Sequence, residues 1–472
     1  VKTTLERELK FDVDPGFELP ALDGRPTERT FTSTYYDTPG RRLLDCGITL
    51  RRRVEERVGL WQLKLPSADG RFELEERGGP GRVPAPLLDL LPALFRGGAD
   101  LEAVARLRTR RQVSTATRGA DRVEVVLDDV AILDGAKTAG RFAELEAEVV
   151  KGRGKTLGRI GKQLRKAGAR PTDGTPKLAR VLTHADAVSE PVGDEPIDRL
   201  RSLLVAQYLA LLTNDPGVRL GADPEAVHHA RVATRRARAL LRAAGTLVDS
   251  AWTDALQAEL AWLGKLLGPV RDLDVLIGHV AEEAAALERA DARAIGTIRS
   301  RLGRQRGAAR RELLAAMSEP RYFRLLDTLA AAGHAPAGPG TASLEEIGAD
   351  AFKRARKAMK ALPQDPTDDE LHAVRIETKR ARYAAELAEP VLGKAGGRFL
   401  RRAKVVQDVI GEHQDAVVAE ARIRELAVSG GASAALAAGR LIERQGARKQ
   451  AAREELPAVW RAFVKAGRAA YS

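Results

Sequence analysis

A single cysteine, Cys46, stands among 472 residues, so no internal disulfide can form. A lone thiol fits a reducing compartment, where it serves as a small buried apolar residue. No stretch approaches the roughly 18 apolar residues of a membrane helix. The first residues also lack the charged-then-apolar order of an export signal. The expectation is a cytoplasmic protein that makes no membrane contact. Histidine is scarce as well, and the only one in the first half is His184. That leaves no Ser-His-Asp or Cys-His arrangement there and argues against nucleophilic acyl chemistry. Aromatic residues make up 4% of the chain, too few for an array of base-stacking platforms.

Charge, by contrast, is abundant and unevenly placed. The net charge is +13. Residues 1–196 hold 34 Lys and Arg against 31 Asp and Glu, and residues 197–472 hold 44 against 34, so the excess of +10 in the second part marks it as the surface for a polyanion. The length predicts two or three domains, each with its own core.

The first half reads as short strands punctuated by Gly and Pro: 31–37, 49–54, 60–65, 71–75, 112–117 and 122–133, with helices near 86–94 and 156–167. Strand side chains alternate faces, so Glu6, Glu8 and Lys10 share one surface of the first strand, and Glu144, Glu146 and Glu148 repeat the device on another. Between them, bases recur at the same spacing: Arg51 and Arg53, Gln62 and Lys64, Arg108 and Arg110. A single alternation of this kind is usually a solvated face. Five of them, each backed by apolar residues such as Leu9, Trp61 and Leu145, suit an antiparallel barrel whose lumen holds acids for a hard metal and bases for a polyanion. Asp128, on the face of Glu124, joins the acids or else forms a strand-end turn with Asp129. Gly154-Lys155-Thr156 imitates the end of a phosphate-binding loop, but the required first glycine is Val149, so it reads as a helix start.

Taken together, Glu6-x-Glu8-x-Lys10, Tyr35-Tyr36-Asp37-Thr38-Pro39, Leu50-Arg51-Arg52-Arg53, Trp61-Gln62-Leu63-Lys64, Phe142-x-Glu144-x-Glu146 and Pro176-Lys177-Leu178 resemble the CYTH domain of the triphosphate tunnel metalloenzymes. The resemblance implies an antiparallel tunnel of about eight strands over residues 1–184, binding a triphosphate with Mg²⁺ or Mn²⁺. It implies a catalytic set of Glu6, Glu8, Lys10, Glu144 and Glu146. The metal ligands would be Glu6, Glu8, Asp128, Glu144, Glu146 and Glu148, and the phosphate grip Arg51, Arg53, Lys64, Arg108, Arg110 and Lys177.

Residues 185–196 show no apolar period and read as a linker. From 197 to 472 the spacing is helical throughout, and the segment repeats itself. His228-x-x-Arg231-x-x-x-Arg235-Arg236-x-Arg238 returns as His372-x-x-Arg375-x-x-x-Lys379-Arg380-x-Arg382. Leu267-Gly268-x-x-Arg271-Asp272 returns as Ile410-Gly411-x-x-Gln414-Asp415. Two motifs recurring in one order predict an all-α domain of two pseudo-symmetric bundles. On a helix, positions 0, +3, +7 and +10 fall within about 80° of arc, so His228, Arg231, Arg235 and Arg238 form a basic stripe that Arg242 extends. His372, Arg375, Lys379 and Arg382 form its counterpart, with Glu386 in the place of Arg242. Like charges at this spacing repel unless an anion lies on them, and the duplication weighs against a merely solvated face. No second ligand sits at i+4 from His228, so metal binding there is disfavoured.

These repeats resemble the CHAD domain. That resemblance implies binding of inorganic polyphosphate by the two stripes, with Arg236 and Arg380 as additions, and association with polyphosphate granules. The combined expectation is a divalent-metal-dependent triphosphatase or polyphosphatase with a polyphosphate-binding helical half. The alternatives are a non-catalytic polyphosphate sensor, or a tunnel acting on an organic triphosphate as a nucleotide cyclase or thiamine triphosphatase. Nucleic acid is disfavoured because the stripes carry almost no aromatics apart from Tyr383.

Overall fold

The structure, a computed structural model, describes residues 1–14, 16–20, 22–96, 98, 100–152, 155–172, 177–182, 193, 195–285, 289–427 and 431–471. Gly154, Pro176, His184 and nearly all of the expected linker at 185–196 lie outside the described residues. The chain forms two compact units. One comprises residues 1–189 with 209–226, and the other 190–208 with 227–472.

The first unit is built on one antiparallel sheet. Its strands are β1 (Lys2–Glu6), β2 (Glu8–Asp12), β3 (Asp23–Asp37), β4 (Thr49–Glu55), β5 (Val58–Ser67), β6 (Gly70–Arg77), β7 (Glu102–Arg118), β8 (Asp121–Asp134), β9 (Lys137–Lys151) and β10 (Arg170–Pro171). Four helices accompany them: α1 (Arg42–Asp45), α2 (Ala85–Leu88), α3 (Lys155–Lys166) and α4 (Lys177–Val181). Hairpins β7–β8 and β8–β9 turn at Gly119 and Gly135, whose φ values of 62° and 58° are left-handed and favour glycine.

The ladder runs β1-β6-β5-β4-β3-β7-β8-β9-β2-β10. It has ten strands and does not close, where a tunnel of about eight was expected. The difference arises at Arg7. The first strand breaks there, so that β1 pairs with β6 while β2 pairs with β9, and β10 adds a two-residue edge. One short segment thus serves both ends of the sheet. The Arg7 carbonyl continues the second pairing by accepting from the Val149 N–H at 3.0 Å.

Alternation then separates two chemistries. The odd-numbered Phe11, Leu145, Ala147, Val123 and Val125 bury an apolar face together with Ile160 and Leu164 of α3. Trp61, Leu63 and Leu65 are buried in the same way on β5. The even-numbered residues of β2, β5 and β9 turn into the concave side.

The second unit is helical, as expected. Its helices are α5 (Pro196–Leu220), α6 (Pro224–Ala244), α7 (Ser250–Ala285), α8 (Arg289–Ala316), α9 (Pro320–Ala330), α10 (Leu344–Lys360), α11 (Asp368–Leu387), α12 (Glu389–Ala427) and α13 (Gly431–Ala470). The end of α5 and the start of α6, residues 209–226, group with the sheet. α10 and α11 both begin with capping boxes, Ser343 with Glu346 and Thr367 with Glu370. The repeated motifs fall on α6 and α11 and again on α7 and α12. Leu276, Val280 and Leu302 from the first half share a core with Ile423, Ala438 and Leu441 from the second. Among the described residues, no helix is long and apolar enough to cross a membrane.

Candidate functional site

The concave side of the sheet encloses a cavity of about 340 Å³ whose lining includes nine Lys or Arg and seven Glu side chains. Glu6, Glu8 and Lys10 line it as the alternation predicts, and so do Glu146 and Glu148 of β9, Arg51 and Arg53 of β4, Lys64 of β5 and Lys177 of α4. The pairings cross from strand to strand. Lys64 Nζ lies 2.6 Å from Glu6 and 3.4 Å from Glu73, and Lys10 Nζ lies 3.2 Å from Glu146 and 3.5 Å from Glu8. Lys177 Nζ reaches Asp128 at 2.5 Å, Glu144 at 2.9 Å and Glu146 at 3.4 Å.

Two expected acids stand behind the lumen rather than on it. Asp128 and Glu144 are fully buried and do not line the cavity. Asp128 accepts from Arg111 Nε at 2.8 Å and Nη2 at 2.7 Å, a two-pronged grip that aims the guanidinium.

Arg108 and Arg110 are not in the lumen at all. Both are exposed on the opposite face, where Arg110 pairs with Glu28 at 2.9 Å. Neighbouring Arg111 points inward instead. The physical reason is that strand parity changes with every residue, and Leu107, buried in the inner cluster with Tyr35 and Val130, fixes the odd positions of β7 inward.

Sequence reasoning also passed over Glu73, Glu75 and Arg71 of β6. The alternation Arg71-x-Glu73-x-Glu75 carries the same signal as Glu6-x-Glu8. Arg71 donates to the Gly47 carbonyl at 2.5 Å.

Protonation follows from burial set against these pairings. Burial pushes Glu6 up to about 8, with Lys64 opposing and Glu73 adding to the rise. Burial likewise lifts Glu148 to about 7. At Glu146 burial is outweighed by Lys177, Lys10 and Arg111, which together hold it well below the usual carboxylate range. Lys177 is pushed up despite burial because Asp128, Glu146 and Glu144 surround it.

Lumen aromatics are already covered. The Arg53 guanidinium lies 4.0 Å from the centroid of Phe31 and that of Arg111 5.2 Å, while the Tyr35 hydroxyl accepts from Arg51 at 3.1 Å. Arg51 also donates to Gln62, which donates to Glu75, both at 2.8 Å. These rings hold the cations in place and, among the described residues, leave no open platform for a nucleobase.

The divalent cation that the resemblance implies can be tested against this donor set. Among the described residues, no three carboxylates converge closely enough to hold a metal by themselves, because Lys64, Lys10 and Lys177 lie between them. Glu6 and Glu73 do lie within hydrogen-bonding reach of each other, an arrangement that requires a proton or a cation. Such a pair suits Mg²⁺ or Mn²⁺, since Mg²⁺ in phosphate sites takes one or two carboxylates and draws its other ligands from water and substrate oxygens.

On the helical unit the two stripes face one another. Burial, followed by the charges of Arg375, Arg235 and Arg231, pushes Lys379 down to about 7, so two residues from each repeat share one electrostatic environment. Asp272 lies 3.4 Å from Arg231, and the equivalent Asp415 opposes the same cluster beside Arg375. Other stripe members are engaged differently. Glu386 bridges Arg236 at 2.8 Å and Arg382 at 2.9 Å, Arg380 pairs with Glu377 on the exposed side, and Arg242 donates to Gln257 at 3.2 Å. Arg238 is held below its ordinary range by burial and by Arg242. His372 Nδ1 lies 3.1 Å from Gln414 of the second motif. His228 occupies the matching place on α6, partly buried beside His229 at a centroid distance of 5.5 Å.

Comparison with known proteins finds two families in the same order along the chain. The sequence profile of the CYTH domain matches residues 4–173, and that of the CHAD domain matches residues 202–424. An uncharacterized protein of Mycobacterium tuberculosis is 33% identical over 517 aligned positions, covering 99% of this chain and 98% of that one. A thiamine-triphosphatase of Homo sapiens is 37% identical over 107 residues, which span 21% of this chain and 45% of that protein. Among solved structures, the crystal structure of the CHAD domain from the plant Ricinus communis shares 26% identity at a TM-score of 0.46, covering 57% of this chain and 91% of that one.

Proposed function

Because the chain belongs to the family of proteins that join a CYTH domain to a CHAD domain, we propose that its tunnel hydrolyses tripolyphosphate or short polyphosphate and that its helical unit binds inorganic polyphosphate. The reading includes association with polyphosphate granules and the limits 1–184 and 197–472 for the two domains. The observation that carries it is the lumen itself, where cations from seven strands and α4 surround about 340 Å³ and the rings of Phe31 and Tyr35 are each occupied by an arginine.

Phosphoryl transfer asks for charge neutralisation, alignment and a positioned water more than for a covalent nucleophile. Arg51, Arg53, Lys64 and Arg111 would take the anionic oxygens, with Asp128 keeping its grip on Arg111 to aim that guanidinium. Lys177, fixed by three buried or half-buried acids, would hold one phosphate in register. Glu148 and Glu8 remain on the wall to orient the attacking water. A bound divalent cation would supply charge neutralisation at the transferred phosphate, held by Glu6 and Glu73.

The similarity to a thiamine-triphosphatase supports a second reading, in which the terminal phosphate of an organic triphosphate enters the same lumen. Phosphate release from tripolyphosphate, thiamine triphosphate and ATP, each with Mg²⁺ or Mn²⁺, distinguishes them. The expected result is turnover of tripolyphosphate, lowered roughly 10²-fold or more in Glu146→Gln. Tight tripolyphosphate binding without phosphate release from any substrate would instead identify a sensor.

A further inference from the structure

A third basic surface belongs to neither of these sites. Residues of α10 and α13 line an open cleft of about 710 Å³, within the range of small-molecule sites. Arg356 and Lys360 form one wall and Arg461, Lys465 and Arg468 the other. No acidic side chain is among the lining residues, and among the described residues none of the five cations pairs with a carboxylate. Elsewhere on the same unit the arginines do find acids: Arg236 and Arg382 share Glu386, Arg448 reaches Glu412, and Arg453 reaches Asp368. Arg356 with Lys360 and Arg461 with Lys465 are each spaced i,i+4, so each pair repels along its own helix until an anion lies between the walls.

The floor of the cleft differs from that of the facing stripes. Its uncharged lining is apolar, from Trp460, Val464 and Ala469. The indole rests on Phe463 with ring centroids 4.8 Å apart, which fixes its orientation, and it is only half-buried. An inorganic phosphate chain gains nothing from an aromatic floor. A nucleobase does, because stacking on such a ring adds to the attraction of the surrounding cations for its phosphates. The scarcity of aromatics that disfavours nucleic acid at the α6 and α11 stripes therefore does not extend to this cleft.

We propose that the α10–α13 cleft binds a nucleoside phosphate, either free or as a unit of a single strand, with the nucleobase on Trp460 and the phosphates on Arg356, Lys360, Arg461 and Lys465. The test uses the full chain, with ADP, a short single-stranded oligonucleotide and tripolyphosphate as probes, and reads tryptophan emission together with calorimetric affinity. The expected results are a change of emission on adding ADP or oligonucleotide that disappears in Trp460→Phe, and a loss of affinity for the same probe of about tenfold in Arg461→Ala/Lys465→Ala. Both positions 461 and 465 are exposed, so this double variant leaves the core intact. Tripolyphosphate hydrolysis by the tunnel is expected to be unchanged in both variants, which separates failure here from failure of the proposed function. Whichever of ADP and oligonucleotide binds more tightly identifies the source of the ligand, and either upholds the site. An emission change that survives in Trp460→Phe, or an affinity indifferent to the double variant, would overturn the proposal.

Discussion

Lys379 concentrates the electrostatic tension of the helical unit in one ammonium group. Burial, Arg375 one turn away on the same helix, and Arg235 and Arg231 on the facing one bring it down to about 7 in the folded protein, against an ordinary value of 10.5. The unfolded chain therefore holds more protons than the folded one between these two values. Stability contributed through this residue rises with pH across that window, and below pH 7 the full penalty is present. Lys379→Met is expected to melt above the parent at pH 6, with the difference shrinking as the pH is raised toward 10. An anion on the stripe reverses the preference by favouring the charged form. Polyphosphate affinity should then weaken as the pH rises above 7 in the parent, and titrations of Lys379→Met at the same pH values should show a flatter profile. A parent that binds equally well at pH 6 and pH 9 would remove Lys379 from the binding surface.

At the scale of the strand, a side chain's function is set by whether its position is odd or even. Alternation was legible wherever one face is apolar. Trp61, Leu63 and Leu65 fix Gln62 and Lys64 inward, and Leu145 with Ala147 does the same for Glu144, Glu146 and Glu148. It failed on β7, where Arg108-Thr109-Arg110-Arg111 is polar on both faces and Leu107 alone marks the inward side. The acids of β6 are equally legible, since Arg71-x-Glu73-x-Glu75 alternates as Glu6-x-Glu8 does. What the alternation could not reveal was depth. Asp128 and Glu144 share the inward face with Glu146, yet only contact with Arg111 and Lys177 places them behind the wall. With its side chain on the outer face, Arg110→Ala should leave tripolyphosphate turnover unchanged. Arg111→Lys, which keeps the charge but loses the two-pronged grip on Asp128, should lower it roughly tenfold. Equal effects at the two positions would contradict the assigned faces.

Across the whole molecule, charge and duplication proved the most readable features. The excess of +10 after residue 196 and the two copies of the histidine-arginine motif locate the helical stripes without coordinates. That the stripes share one field required the fold, because it depends on α6 and α11 bringing Arg231 and Arg235 against Arg375 and Lys379. If one phosphate polymer lies on both, Arg235→Ala and Arg375→Ala should each reduce the slope of log affinity against log salt by about one. Polyphosphate titrations at several salt concentrations measure this, and a slope sensitive to only one of the two helices would show that the copies do not act together.

The break at Arg7 has a consequence for how this sheet comes into being. Residues 8–12 are synthesised well before their partner, residues 144–148 of β9, which follows every intervening strand. Lys10 and its acidic neighbours must therefore wait unpaired while the meander from β3 to β8 assembles, and pairing β2 with β9 and then with β10 is among the most non-local events in this unit's assembly. The strand that carries Glu8 and Lys10 would then be secured late, so an incompletely assembled molecule would present Arg51, Arg53, Lys64 and Arg111 without this part of the wall.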